Sequence, residues 1–365
     1  MTKIKDIISV LENIAPRGYQ ENYDNSGLIT GSFNDKVTGV LVTLDCIESV
    51  VEEAIRKNCN LIVAHHPIVF KGLKQLNGKN YVERTIIKAI KNDIAIYAIH
   101  TNLDNVHNGV NAKIAEKIGL ENVRVLAPKA DTLLKLEVFI PTQHTQQVLE
   151  ALHKAGAGNI GNYSHCSFKV VGTGTFRPNA SANPTIGKRG EQESVQEDKV
   201  ELIFPAVLKV AILEAMNHAH PYEEVAHFIQ AVENTNQNIG AGMIGELPSP
   251  KTQEEFLIHI KSQMSLNTIK YTSFDGEKIK TVAICGGSGS FLLNHAKVNS
   301  ADVFVTGDFK YHEFFDGEGK IMIADIGHYE SEVFTKELID GFLRENFANI
   351  ASYLSEVDTN PVKYF

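Results

Sequence analysis

The sequence of 365 residues has no tryptophan and few cysteines, and it lacks any apolar stretch near the ~20 residues that a membrane-spanning helix requires. Its four cysteines are isolated and include no C-x-x-C pair, so no disulfide framework is indicated. The first residues, MTKIKDIISVLENIAP, carry charges within an amphipathic pattern, which favours a folded first helix over a signal peptide. We therefore expect a cytoplasmic protein without a membrane partner.

Composition is typical of a globular protein with a substantial core. Hydrophobic residues make up 43% of the chain and charged residues 22%. At ~150 residues per domain, the length predicts about two domains. The formal charge of -9, from 35 basic and 44 acidic residues, makes nucleic acid an unfavourable partner. The fourteen histidines are the unusual count, because histidine is the commonest metal ligand and a proton carrier near neutral pH.

Both ends of the chain alternate buried strands with helices, which predicts an α/β fold with a parallel central sheet covered on both faces. The strands predicted in the first third are 36–44, 60–64 and 94–99, and the helices are 47–57, 82–91 and 110–118. Asp45 stands where the first of these helices would have its N-cap. Near the C-terminus the predicted strands are 281–285, 301–306 and 321–325, and one long helix is predicted over 330–345.

The middle of the chain follows a different pattern, close to the β-α-β-β-α-β order of a ferredoxin-like α+β domain. Its predicted elements are strand 133–140, helix 145–155, strand 167–175, strand 200–204, helix 206–219, and a strand or continuing helix over 225–232. We therefore predict a discontinuous α/β domain, residues 1–126 and 244–365, interrupted by an inserted domain, residues 127–243.

Metal-ligating side chains stand at the carboxyl ends of three predicted strands, where α/β sheets bind their ligands. They are His65 and His66, then His100 and Asp104, then His328 and Glu332. His328 and Glu332 are four residues apart and share one face of a helix. Imidazoles combined with carboxylates suit Zn²⁺, Mn²⁺ or Fe²⁺, and two carboxylates able to bridge make a dinuclear site sensible.

Other features allow a functional and a structural interpretation. The run Gly286, Gly287, Ser288, Gly289 and Ser290 is either a phosphate contact through its backbone N–H groups or a tight glycine turn. Gly307, Asp308 and His312 follow another strand and are candidates for lining the same cleft. We interpret eight further histidines as ordinary structural residues: His144, His153, His165, His218, His220, His227, His259 and His295.

Six motifs taken together resemble the Nif-three-like family, whose members are often named GTP cyclohydrolase one type two homologs. The motifs are AHHPIVFKGL at 64–73, HTNLD at 100–104, GAGMIGEL at 240–247, GGSGS at 286–290, TGDFKYHE at 306–313 and GHYESE at 327–332. The resemblance covers the whole chain, and the middle domain is similar to the P-II or CutA-like insert of the longer members. The family's early D-N-x-G-L motif lies at 24–28, preceded by Tyr23 where many members have Trp.

The resemblance implies two divalent metal ions per subunit, most simply zinc, with manganese or iron as alternatives. Their ligands would be His65, His66, Asp104, His328 and Glu332. It also implies a toroidal homohexamer of two stacked trimers, with the metal sites facing the cavity and the inserted domains over its openings.

The function that follows is metal-dependent hydrolysis of a small, nucleotide-like substrate by activated water. The family name implies opening of the guanine ring of GTP with release of formate. Asp104 or Glu332 would bridge the metals, and His100 or His312 would serve as the general acid or base. Two alternatives stay open: cleavage of phosphate esters, and a non-enzymatic scaffold or regulator whose insert binds a small molecule or gates the cavity.

Overall fold

The computed structural model describes all 365 residues and divides the chain into two compact units. One unit combines Met1–Pro128 with Asn238–Phe365, and the other is the continuous segment Lys129–Gln237. The chain therefore leaves the first unit once and later returns to complete it.

The first segment of the discontinuous unit alternates strands with helices, as its sequence pattern predicts. Its strands are β1 (Gly27–Thr30), β2 (Val40–Thr43), β3 (Leu61–Ala64), β4 (Ala95–Ala98) and β5 (Glu121–Pro128). Its helices are α1 (Ile4–Ile14), α2 (Glu48–Arg56), α3 (Tyr81–Lys91), α4 (Thr101–Asp104) and α5 (Val110–Ile118). The predicted elements are all present, with boundaries shifted by a few residues.

The continuous unit is a four-stranded antiparallel sheet with two helices. Its elements are β6 (Leu133–Pro141), α6 (Thr145–Lys154), β7 (Phe168–Phe176), β8 (Glu193–Pro205), α7 (Lys209–Ala219) and β9 (His227–Ala231). The strand order across the sheet is β7-β8-β6-β9. The segment 225–232, for which the sequence allowed a strand or a helix, therefore contains the strand β9. The two helices bury Val148 and Ile212, among others, against the sheet.

The returning segment completes the discontinuous unit. Its strands are β10 (Gly240–Lys251), β11 (Lys270–Tyr271), β12 (Ile279–Ser288), β13 (Val303–Gly307), β14 (Met322–Asp325) and β15 (Ser352–Leu354). Its helices are α8 (Gln253–Gln263), α9 (Leu293–Val298), α10 (His328–Glu332) and α11 (Thr335–Asn346). The prediction of one helix over 330–345 was wrong. The segment instead forms two helices, of which the short α10 packs on β12 and β13 of one sheet and α11 packs on β15 and β2 of the other.

The discontinuous unit contains two mixed sheets, where the sequence pattern had predicted one central parallel sheet. The first has the order β1-β4-β3-β2-β15 and is parallel except for its edge strand β1. The second has the order β11-β14-β13-β12-β10-β5, with parallel pairing only among β14, β13 and β12. The three strands predicted in the first third of the chain and the three predicted near the C-terminus have the same local pattern, so the sequence alone did not assign them to different sheets.

Helices cover the first sheet through a continuous apolar core. Val50, Val51 and Ala54 of α2 and Ile86 of α3 are buried against the sheet residue Ile62 and its neighbours. All four cysteines are free. The helices are all too short or too polar to cross a bilayer.

Candidate metal centre

The predicted ligands come from the ends of both sheets of the discontinuous unit, a correction to the expectation that they share the edge of one sheet. His65 and His66 directly follow β3, and Asp104 ends the one-turn helix α4 that follows β4. His328 and Glu332 begin and end α10, which follows β14 of the second sheet. We call these five residues the ligand cluster.

Glu332 lies at the centre of the ligand cluster and has one carboxylate oxygen on each side. Its Oε2 is 2.9 Å from Nε2 of His66 and 3.1 Å from Nε2 of His328. Its Oε1 is 3.9 Å from Nε2 of His65, which in turn is 3.6 Å from Oδ1 of Asp104. Two candidate donor sets therefore share Glu332, one with His66 and His328 and the other with His65 and Asp104.

Each histidine of the ligand cluster has its Nδ1 atom occupied by a hydrogen-bond acceptor. His65 Nδ1 donates to the carbonyl oxygen of Ile99 at 2.8 Å, and His66 Nδ1 donates to Asp45 at 2.8 Å. His328 Nδ1 donates to Asp308 at 2.6 Å. Because these contacts keep the proton on Nδ1, the Nε2 atoms that face Glu332 are the ones available to a metal ion, as in known metal sites.

Two buried polar atoms in the ligand cluster have no hydrogen-bond partner. They are Nε2 of His65, whose side chain is fully buried, and Oδ1 of Asp104. An unpaired buried polar atom costs ~1–3 kcal/mol, so such atoms point to a group that pairs with them. A divalent cation between His65 and Asp104 accounts for both atoms, and the residues present therefore fit a metal.

The three histidines of the ligand cluster have strongly shifted pKa values, and the shifts differ in direction. Burial lowers the pKa of His65 to about 3, so this ring is neutral. Burial also disfavours charge on His66 and His328, but hydrogen bonds to Glu332 and to Asp45 or Asp308 outweigh it and raise their pKa values to about 10 and about 9.

The two carboxylates of the ligand cluster have opposite pKa shifts. Burial and the neighbouring charge of Glu332 raise the pKa of Asp104 well above its ordinary value. Burial works in the same direction on Glu332, but hydrogen bonds from His328 and His66 outweigh it and hold its pKa well below the ordinary range. Strongly perturbed pKa values concentrated in one cleft are typical of functional sites.

Three carboxylates that orient the histidines were missed as functional residues by the sequence interpretation. Asp45, expected to cap α2, accepts instead from His66 and from Thr359, and the N-cap position is Ile47. Asp308 had been given only a place in the cleft. Asp24 in the DNSG turn had no assigned role. In the sequence, each of these three aspartates lies far from the histidine that it contacts, or at no regular spacing from it. The D-N-x-G-L resemblance was the one sequence feature that pointed to any of them, and it concerns Asp24 alone.

Asp24 and His100 form a second hydrogen-bonded pair beside the ligand cluster. His100 Nδ1 donates to Asp24 Oδ1 at 2.8 Å, and Asp24 Oδ2 also accepts from the backbone N–H of Thr101. Although burial opposes it, the hydrogen bond from His100 holds the pKa of Asp24 well below its usual value. The His100 ring lies 5.3 Å from both His65 and His66, between ring centroids.

The glycine-rich run has a steric role, and two of its predicted phosphate donors are committed elsewhere. Gly286 N–H donates to Asn111 and Gly287 N–H donates to Ser331, while Ser288 extends β12 beside Gly307. Gly287 has φ +61°, and a Cβ there would lie 2.4 Å from Glu332 Oε1. The run is therefore neither a tight turn nor an open phosphate loop at these positions, because glycine is needed for the close approach of Glu332.

His312 does not join the site. It lies on the 3₁₀ segment Tyr311–Gly317, is exposed, and stacks against Phe315. It does not line the cavity at the ligand cluster, so the expectation that it carries a proton finds no support within this chain. Several of the histidines interpreted as structural bond to backbone carbonyls: His153 to Ala157, His220 to Phe139, and His259 to Ile118.

The ligand cluster opens onto a cavity of about 1210 Å³. His66, His100, Asp104, His328 and Glu332 all line it. So do four exposed aromatic residues: Tyr23, Phe70, Tyr81 and Phe291. This volume is slightly above the usual range for small-molecule sites, so the cavity has room for a ligand of nucleotide size.

Fold and site together define the class of this protein: a mixed α/β protein with a histidine–carboxylate cluster that could hold a metal ion. A family model described as Duf34/NIF3 (NGG1p interacting factor 3) matches residues 2–361. The chain belongs to the Duf34/NIF3 family, which confirms the resemblance of its motifs.

Relatives and solved structures match over nearly the whole chain. A Bacillus subtilis protein named GTP cyclohydrolase 1 type 2 homolog is 39% identical over 365 residues, covering 99% of this chain and 98% of its own. A Halalkalibacterium halodurans protein of the same name is 40% identical and covers 98% of both chains. The crystal structure of a Bacillus cereus protein related to NIF3 superposes with a TM-score of 0.87 at 38% identity, covering 100% of this chain and 99% of that one.

Proposed function

We propose that this protein is a hydrolase that depends on two divalent metal ions, which the ligand cluster would hold, with Glu332 as a member of both donor sets. The observation that carries the proposal is the division of Glu332 between two donor sets, together with the unpaired buried atoms of His65 and Asp104. Zinc suits this mixture of imidazole and carboxylate donors best, and manganese or iron would also fit. When bound, two neighbouring cations supply an activated water at neutral pH and stabilise negative charge on a substrate oxygen.

The chain itself supplies a proton carrier beside the metals. His100 lines the cavity, and Asp24 holds its Nδ1 proton, so its Nε2 atom is free to accept a proton from a reacting group or to return one. Asp24 is in turn fixed by the backbone of Thr101. Because Asp24 fixes the orientation of the ring, we assign His100 as the general acid or base and Asp24 as its positioning residue.

The substrate class follows from the cavity and from the names of the relatives. The cavity volume of about 1210 Å³ accommodates a nucleotide, and its exposed aromatic residues offer faces for a planar ring. The relatives are named GTP cyclohydrolase 1 type 2 homolog. Hydrolytic opening of a purine ring with release of formate is therefore the first reaction to test, and phosphate-ester cleavage is the second.

Assembly is a further part of the proposal. We propose a homohexamer of two stacked trimers in which the unit 129–237 is a ferredoxin-like, P-II or CutA-like module. Its β-α-β-β-α-β order supports that assignment, and its edge strand β7 exposes Phe168, Val170 and Val171, which a second copy of the chain would cover.

The exposed apolar edge also favours a second candidate function, a metal-dependent scaffold or regulator without turnover. The test that separates the two uses protein loaded with zinc, manganese or iron and incubated with guanosine, with GTP and with a panel of phosphodiesters. Formate or phosphate release that disappears in His100→Ala, with metal content unchanged, supports the hydrolase. Confirmed metal occupancy without any product supports the scaffold. His153→Ala, in the inserted unit, is the matched control.

A further inference from the structure

The cavity at the ligand cluster combines carboxylates with aromatic rings and offers no lysine or arginine to a substrate. Seven carboxylates line it, and none of its lining residues is a lysine or an arginine. Sites that recognise phosphate groups normally do so with lysine, arginine or a helix N-terminus. The cavity lining therefore lacks the cationic side chains that normally hold a triphosphate.

Three cationic side chains form ion pairs with carboxylates of the lining. Arg84 donates to Glu48 at 2.8 Å, Lys88 pairs with Glu52, and Lys363 pairs with Asp358 at 2.7 Å. Two divalent ions in the ligand cluster would offset four of the seven negative charges, and these three cations offset the other three. The lining therefore has no excess positive charge for a polyphosphate, whose own charges would lie beside carboxylates, whereas an uncharged ring needs no such charge.

The aromatic residues indicate what the cavity holds instead. Tyr23, Phe70, Tyr81 and Phe291 are 70%, 51%, 56% and 65% exposed, although side chains of this size are usually covered. Phe70 also contacts the proposed proton carrier His100 edge-on, with 5.6 Å between ring centroids. A planar ring resting on Phe70 would therefore lie beside both His100 and the ligand cluster.

We propose that the substrate of this site is an uncharged, planar nitrogen heterocycle, a purine or pterin-type ring as free base or nucleoside, and that a nucleoside triphosphate is a poor ligand. This inference rests on the proposed hydrolase function and narrows its substrate class. In the reaction, the oxygen of one water molecule bonds to a ring carbon that lies between two nitrogens. One carbon–nitrogen bond breaks and the released nitrogen takes a proton, so no oxidant or reductant is consumed.

The test compares guanosine, GMP and GTP on the metal-loaded full-length protein by equilibrium dialysis and by turnover. We expect affinity to fall with each added charge, by about tenfold or more from guanosine to GTP at low salt. The difference should shrink at high potassium chloride, since salt screens repulsion between like charges. GTP that binds more tightly than guanosine, and more weakly as salt is added, would overturn the inference.

Two pairs of variants separate charge from stacking. Ser49 lines the cavity, so Ser49→Arg should bind GTP severalfold more tightly than the uncharged control Ser49→Gln does, whereas the two variants should bind guanosine alike. Phe291→Ala should weaken the binding of guanosine by about tenfold, and His153→Ala should leave it unchanged. If guanosine binds more tightly than GTP but neither is turned over, the hydrolase proposal fails and the inference about the uncharged ligand holds. If GTP binds more tightly than guanosine and is turned over, the hydrolase proposal holds and the inference about the ligand fails.

Discussion

Replacing Gly287 by alanine should empty the metal centre while leaving the fold intact. Gly287 adopts φ +61°, and an added Cβ would lie 2.4 Å from Glu332 Oε1 and 3.2 Å from His328 Cε1. The methyl group therefore occupies the space of the carboxylate that both donor sets share. Glu332 can avoid it only by moving away from its histidine partners.

Two costs of this substitution can be separated by a matched control. A non-glycine residue in the left-handed region costs ~1 kcal/mol of folding free energy, whatever surrounds it. Gly119 has φ +78° at the end of α5 and no atom within 4 Å of an added Cβ, so Gly119→Ala has the backbone cost alone. Both variants should melt a few degrees below the wild type, but only Gly287→Ala should lose metal.

The assay is zinc affinity by competition with a chromophoric chelator, together with elemental analysis and thermal melting. Displacement of the shared carboxylate should lower the affinity for zinc by about 100-fold or more, which corresponds to ~2.7 kcal/mol or more of binding free energy. Gly119→Ala should bind zinc like the wild type. The account of Glu332 as the shared ligand is refuted if Gly287→Ala retains wild-type zinc affinity.

Three further predictions concern the groups around the ligand cluster. Asp45→Asn should weaken zinc about 10- to 100-fold at the site that includes His66, because the ring loses the carboxylate that orients it; unchanged affinity would contradict this role. Asp24→Asn should lower turnover by about 10²-fold or more, because His100 loses the carboxylate that orients its ring, and the zinc content should not change. Loss of zinc from this variant would instead make Asp24 part of the metal site. Metal affinity should rise with pH up to the pKa values of His66 and His328, about 10 and about 9, because both rings must lose a proton to bind a cation. Calorimetry in buffers of different ionisation enthalpy should detect the released protons near pH 7, and no release would contradict the protonation pattern.

The sequence was most informative at strand ends. His65, His66 and Asp104 follow buried apolar strands, and the rule that ligands bind at the carboxyl ends of parallel strands was enough to bring them together. His328 and Glu332 were predicted by the same rule, together with their helical spacing of four residues. These inferences depend on local pattern, which one sequence displays directly.

The rest of the site depends on pairing between distant segments, which one sequence does not display. Nothing local shows that β3 and β14 belong to different sheets, or that Asp308 reaches His328 across two strand ends. Asp45 had a reasonable local interpretation as a helix cap, and the tertiary contact with His66 overrode it. The steric need for Gly287 also becomes visible only when Glu332 lies against it.

The central claim, that Glu332 joins two metal sites into one centre, is tested most directly by the zinc stoichiometry of wild type and Glu332→Gln. The account predicts two zinc ions per wild-type chain, and loss of both from Glu332→Gln with the fold unchanged by circular dichroism. His153→Ala should keep both ions. Two tightly bound ions in Glu332→Gln, or none in the wild type under metal-replete conditions, would contradict it.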